Sequence, residues 1–171
     1  VTATRANAGG IIGFANEKFN KTGTTKDFAG DSTPVDIADV FNAGAVLAGY
    51  NAGGVAGKGV NLDLKYTEAV LKNAIKAETG NLNDFLFTNN NIVKSNSSNA
   101  GGVIGDANNC ILQDTFNSGT SDSHDAAVNN DGTNRVIAST YNAGGLVGRG
   151  KGLSITYSEL IADQIRDNRS Y

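Results

Sequence analysis

The chain has 171 residues, a formal net charge of −3 and 18% charged residues, with 22 Gly, 22 Asn, one Cys and no Met or Trp. Its few Lys and Arg are scattered, which argues against a nucleic-acid binder; one cysteine excludes an intrachain disulfide, and no apolar run reaches the length of a membrane span. Apolar residues at 39% are more than disordered chains carry, and the length suits one cooperative body.

In chain order, Val1 to Ala6 alternates and predicts an edge strand. It leads into the heptad NAGGIIG, Asn7 to Gly13, after which a polar, Gly- and Thr-rich passage up to Pro34 reads as a loop or a pair of weak outer strands. Val35 to Phe41 alternates as a half-buried strand with Val35, Ile37 and Val40 inside, and Asn42-Ala43-Gly44 partly echoes the heptad. A second heptad, NAGGVAG, spans Asn51 to Gly57, and Leu62 to Tyr66 alternates strictly as a strand. The period then changes. Thr67 to Glu78 is rich in helix formers, opens on a capping hydroxyl and stops before Gly80, which predicts a helix. Asp84 to Lys94 predicts two short strands around an Asn-rich turn. The third heptad, NAGGVIG, runs from Asn99 to Gly105, followed by a strand at Ile111 to Phe116 and a polar excursion from Gly119 to Asn134. Arg135 to Tyr141 returns as a strand into the fourth heptad, NAGGLVG, Asn142 to Gly148, and a second capped helix is predicted from Ser158 to Asn168.

Four near-identical heptads at offsets of 43 to 48 residues mark a repeat architecture. The units are 7–50, 51–98, 99–141 and 142–171 of one repeat domain covering 1–171. Two or three strands per unit leave room for two solenoid coils in each. The paired glycines, Gly9-Gly10, Gly53-Gly54, Gly101-Gly102 and Gly144-Gly145, permit positive φ or close backbone approach, so Val at Gly145 or Gly102 is expected to damage folding. Gly13, Gly57, Gly105 and Gly148 mark a bulge, a corner or a neighbouring backbone. The leading Asn7, Asn51, Asn99 and Asn142 suit a turn, or an amide ladder if the copies stack.

A longer period overlies this one. Residues from Gly54 align on those from Gly145 at an offset of 91, pairing Leu62 with Leu153, Tyr66 with Tyr157 and Thr67 with Ser158, while the first and third units share their own continuation. The chain therefore reads A, B, A, B. Its last unit is shorter than a full period, as expected of a longer array or of a capping unit.

Asn99 to Thr120 and Asn142 to Tyr157 resemble the GLUG motif, a GGLVG core with an Asn/Gly turn and a short strand. The resemblance covers about half of the chain, in four patches. GLUG repeats occur in bacterial surface adhesins of the filamentous haemagglutinin type and in some immunoglobulin A1 peptidases. The resemblance implies a mainly β, repeat-built parallel β-solenoid and an extracellular or bacterial cell-surface location; the one or two short helices predicted after Thr67 and Ser158 are not part of the GLUG pattern. The role it implies is non-catalytic, as adhesin or stalk, with a host surface protein or glycan, or other copies of the chain, as partners. The long spacing and the predicted helices fit an alternative fold, a compact pseudo-twofold α+β domain.

Sites for chemistry are sparse. Asp122-Ser123-His124-Asp125 with Asp131 reads as a solvated loop rather than a metal site, and no cofactor is expected. The aliphatic residues after each glycine pair exclude a calcium-binding nonapeptide, and Gly148-Arg149-Gly150-Lys151-Gly152 reads as a basic turn without phosphate-loop spacing. Cys110 reads as a small buried apolar residue. Tyr50, Tyr141, Phe41 and Phe116 each precede an Asn and are expected as stacked steps in or beside the core, with a sugar-binding stripe as the alternative. Convergence of Asp36, Asp39, Asp63 and Asp114 would suit a solenoid carbohydrate enzyme, the weaker alternative to an adhesin module and to a self-assembling scaffold subunit.

Overall fold

The computed structural model describes residues 1–15, 34–40, 42, 44–71, 92–115, 120–122 and 135–158. They form a parallel β-solenoid in which each repeat unit supplies one turn. Rung 1 contains β1 (Thr2–Ala3), β2 (Ala8–Gly9), β3 (Ile12–Ala15) and β4 (Val35–Ala38). Rung 2 contains β5 (Val46–Ala48), β6 (Ala52–Gly53), β7 (Ala56–Val60) and β8 (Leu62–Lys65). Rung 3 contains β9 (Val93–Ser95), β10 (Ala100–Gly101), β11 (Ile104–Asn108) and β12 (Ile111–Gln113). After β13 (Thr120–Asp122), rung 4 contains β14 (Arg135–Ala138), β15 (Ala143–Gly144), β16 (Val147–Lys151) and β17 (Ser154–Thr156).

Corresponding strands pair in parallel and build four sheets: sheet 1 (β1-β5-β9-β14-β13), sheet 2 (β2-β6-β10-β15), sheet 3 (β3-β7-β11-β16) and sheet 4 (β4-β8-β12-β17). The heptads set the register, with Ala8, Ala52, Ala100 and Ala143 in one row and Ile12, Ala56, Ile104 and Val147 in another. Their backbone bonds repeat from interface to interface. The amides of Ala8, Ala52 and Ala100 each donate to the carbonyl of the next rung's Asn at 2.9 Å.

The core divides at the solenoid axis. Beneath sheet 1 lie Val46, Val93 and Val136 with the small residues Ala8, Ala52 and Ala100, whereas Val55, Val103, Ile104, Leu62, Leu64 and Leu112 fill the space between sheets 3 and 4. Here the A, B alternation acquires a packing reason. At one inward position of sheet 3, the A rungs place Ala15 and Ala107 and the B rungs Gly59 and Gly150. At the facing position near sheet 4 the B rungs carry Leu62 and Leu153, against Val35 and Cys110 in the A rungs. A Cβ on Gly59 would lie 3.0 Å from Leu62 Cδ2, and one on Gly150 3.1 Å from Leu153 Cδ2. Small opposite large keeps the layer filled in both rung types.

The corner between sheets 3 and 4 needs a left-handed residue. Asn61 (φ 50°), Asn109 (φ 54°) and Gly152 (φ 61°) supply it, residue types that reach this region at least cost.

Several sequence expectations change. Each unit forms one rung and not two coils, because one offset of 43 to 48 residues equals one turn. Thr120 to Asp122, expected within a polar excursion, forms β13 and pairs with β14. The basic turn at Gly148 to Gly152 is mostly strand β16, with only Gly152 at the corner. Helix does begin after Thr67, at residues 68–71, where the Leu71 amide donates to the Thr67 carbonyl. The remainder of that predicted helix, the one beyond Ser158, the 16–33 passage and most of the strand pair before Lys94 lie outside the described residues. The architecture is the solenoid; the twofold character survives only as the alternation of rung types. Among the described residues no helix is long and apolar enough to cross a membrane.

Candidate functional site

The residues singled out by the repeat form an axial spine. Asn51 Nδ2 donates to Asn7 Oδ1 (2.9 Å), Asn99 Nδ2 to Asn51 Oδ1 (3.0 Å) and Asn142 Nδ2 to Asn99 Oδ1 (3.0 Å). The Asn51 and Asn99 backbone amides donate to the same oxygens, both at 3.3 Å. This is the amide ladder, and none of its four residues has positive φ. A second, shorter ladder joins Asn109 Nδ2 to Asn61 Oδ1 at the left-handed corner.

The glycines serve close approach rather than unusual dihedrals. A Cβ on Gly9, Gly53, Gly101 or Gly144 would fall 1.9–2.0 Å from the carbonyl oxygen three residues on, so the first glycine of each pair allows the tight corner between sheets 2 and 3. A Cβ on Gly57, Gly105 or Gly148 would lie 2.6–2.7 Å from backbone of the preceding rung. Gly10 faces the Gly54 carbonyl oxygen, 2.2 Å from its would-be Cβ. Gly145 departs from the pattern: nothing lies within 4 Å of a Cβ built there. The expectation that Val at Gly145 damages folding is therefore corrected, because among the described residues no fifth strand covers that position beside sheet 2.

At the end of sheet 4 the A rungs hook onto the B rungs. Asp39 has φ 56° and accepts from the Thr67 amide (2.7 Å) and the Thr67 hydroxyl (2.8 Å) through its two carboxylate oxygens. Asp114, φ 52°, accepts from the Ser158 amide at 2.6 Å. Thr67 thereby starts its helix while tied to the rung below, so the expected capping residue is itself held by an aspartate 28 positions earlier. Beside each hook sits a tyrosine. The Tyr66 hydroxyl donates to the Val40 carbonyl at 2.7 Å, and its pKa is raised by burial first and by the Asp39 charge second. Tyr157 is raised by burial and then by Asp114.

The four aspartates do not form one cluster. Asp36 and Asp63 are register partners on the outer face of sheet 4, whereas Asp39 and Asp114 are engaged in the hooks. Among the described residues no group of three or more His, Cys, Asp or Glu is placed to hold a metal. Asp122 is in β13; His124, Asp125 and Asp131 lie outside the described residues. Cys110 is fully buried near the Gly59 and Asn108 carbonyls, and burial pushes its thiol pKa up.

Two features lie on the outer surface. Tyr50 and Tyr141 are 51% and 62% exposed, which overturns their expected place beside the core; each sits in the polar turn between sheets 1 and 2, ahead of a ladder Asn. Phe41 and Phe116 lie outside the described residues. The second feature is a row along sheet 3: Phe14, Lys58, Asp106 and Arg149 occupy one register position on successive rungs. Lys58 Nζ lies 5.9 Å from the Phe14 ring centroid and 3.6 Å from Asp106 Oδ2, bridging the rungs on either side of it. Each member directly follows the third glycine of its heptad, so aligning the four copies one residue further exposes the row.

Comparison with known proteins adds no relative: no family model matches the chain, and neither a curated protein nor a solved structure matches it significantly.

Proposed function

We propose that the chain is a non-catalytic module of a bacterial surface protein, displayed outside the cell as a stalk or binding surface toward a host protein or glycan. The observation that carries this reading is the spine: four rungs locked through one Asn ladder, with backbone bonds of nearly constant length at every interface. Its bonds run along the solenoid axis and tie each rung to the next in one fixed register, which suits a repeat-built spacer. The polar turn bearing Tyr50 and Tyr141 gives the reading a surface for contact, since exposed tyrosines combine apolar area with a hydrogen-bonding tip. The GLUG-like heptads support the same assignment.

Antibodies raised against the purified chain, applied to intact and to permeabilised source cells, test it. Labelling of intact cells, removed by brief external proteolysis, is expected. Labelling only after permeabilisation contradicts it.

A further inference from the structure

The two ends of the solenoid match each other. Rung 4 leaves Gly145 open, and Ile155 and Tyr157 are each 42% exposed, while their counterparts on the preceding B rung, Leu64 and Tyr66, are buried. Rung 1 presents Ile11 and Phe14 as exposed apolar side chains, and its Asn7 is the end of the ladder opposite Asn142. Placing a rung 1 above a rung 4 continues the order A, B, A, B. Phe14 then meets Arg149 as Phe14 already meets Lys58, and Gly145 receives the backbone that Gly10 receives within the chain.

One strand stands in the way. β13 pairs with β14 in parallel, Ser121 beside Val136 and Asp122 beside Ile137, on the side of β14 away from β9. In the register that β1 takes on β5, where Thr2 lies beside Leu47, those are the places that Val1 and Thr2 of an incoming rung would occupy. A strand from the connection between rungs 3 and 4 thus covers the edge of sheet 1, while among the described residues no strand lies beyond β15, β16 and β17 in their sheets.

We infer that the rung-4 edge is a docking surface for rung 1 of a second copy of this chain, and that β13 is the removable strand that controls access to it. Displacing β13 frees all four sheets for head-to-tail addition; with β13 in place, only three are available and β1 collides with it. This inference concerns association between copies and holds whether or not the module is a stalk.

The test compares the full chain with the double variant Ser121→Pro/Asp122→Pro by sedimentation velocity over a hundredfold concentration range. Amide directions alternate along a strand, so two adjacent prolines must remove at least one ladder bond. The unmodified chain is expected to stay at 17.6 kDa, and the variant to form a dilution-reversible series of dimers and longer species. Adding Gly145→Val or Arg149→Glu to the variant should return it to monomer. Should the proline pair prevent folding, Thr120→Gly/Asp122→Gly weakens β13 more gently and is expected to show the same series at higher concentration. A folded β13 variant that remains monomeric throughout overturns the inference. So does assembly unaffected by Gly145→Val, or an unmodified chain that assembles equally well.

Discussion

The inner rungs and the outer rungs are written in nearly the same residues, yet they live under different constraints. Gly101 of rung 3 has the Gly148 amide of rung 4 lying 2.7 Å from a would-be Cβ, whereas at Gly144, its register partner on rung 4, the three nearest atoms all belong to its own rung. Leu112 is fully buried and its register partner Ile155 is 42% exposed. A repeat motif therefore specifies what a rung can accept, and the neighbouring rung decides what is enforced. Stability in such a stack resides in the interfaces as much as in the units.

Two matched pairs, Leu112 with Ile155 and Asn99 with Asn142, sharpen this contrast within a wider series of substitutions. The largest effect is expected for Gly101→Val, whose Cβ would fall 1.9 Å from backbone oxygen; a loss of about 4 kcal/mol or more, read as absent native circular dichroism, is the expected outcome. Next comes Leu112→Ala, which empties a fully buried site and should cost about 2–5 kcal/mol in urea unfolding, while Ile155→Ala should cost less than half as much. Equal losses at the two sites would erase the distinction between inner and outer rungs. Breaking the ladder at Asn99→Ala removes bonds to rungs on both sides and should cost roughly 1–3 kcal/mol, against a smaller loss for Asn142→Ala, whose ladder bond among the described residues runs toward rung 3.

Tyrosine ionisation offers a probe without size change at the neighbouring residues. Because the folded-state pKa of Tyr66 is raised by burial and then by Asp39, its contribution is fully present below the unfolded phenol value of about 10 and declines as pH rises above that value toward the folded one. Tyr66→Phe should flatten the alkaline decline of the melting temperature; an unchanged decline would assign it to other groups. The smallest effect is expected for Gly145→Val, within about 0.5 kcal/mol of the parent in thermal unfolding, since its Cβ meets nothing within 4 Å.

Much of this architecture was legible in the sequence because the motif sets the register: aligning NAGG with NAGG already aligns β2, β6, β10 and β15. The 91-residue offset likewise revealed the A and B rung types, and strict alternation at Leu62 to Lys65 located a sheet 4 strand. The number of turns per unit was not legible, since polar Gly- and Asn-rich connections carry the same local signals as weak strands. Nor was β13, whose Thr-Ser-Asp sequence has no apolar alternation and whose pairing is fixed by a strand that follows it. Tyr50 and Tyr141 were misplaced because an aromatic next to a ladder Asn reads as core until the turn geometry sends it outward. The row through Phe14, Lys58, Asp106 and Arg149 emerges only when all four heptads are compared column by column.

The central claim is that the four repeats stack in parallel and in register, and methyl-resolved NOE spectroscopy on the isotope-labelled chain tests it most directly. Leu64, Leu112 and Ile155 share one inward row on rungs 2, 3 and 4, at a rung spacing of about 4.8 Å. Strong methyl contacts from Leu112 to both Leu64 and Ile155, with none between Leu64 and Ile155, are the expected result. Contacts joining Leu64 to Ile155 directly, or Leu112 to neither, would contradict it.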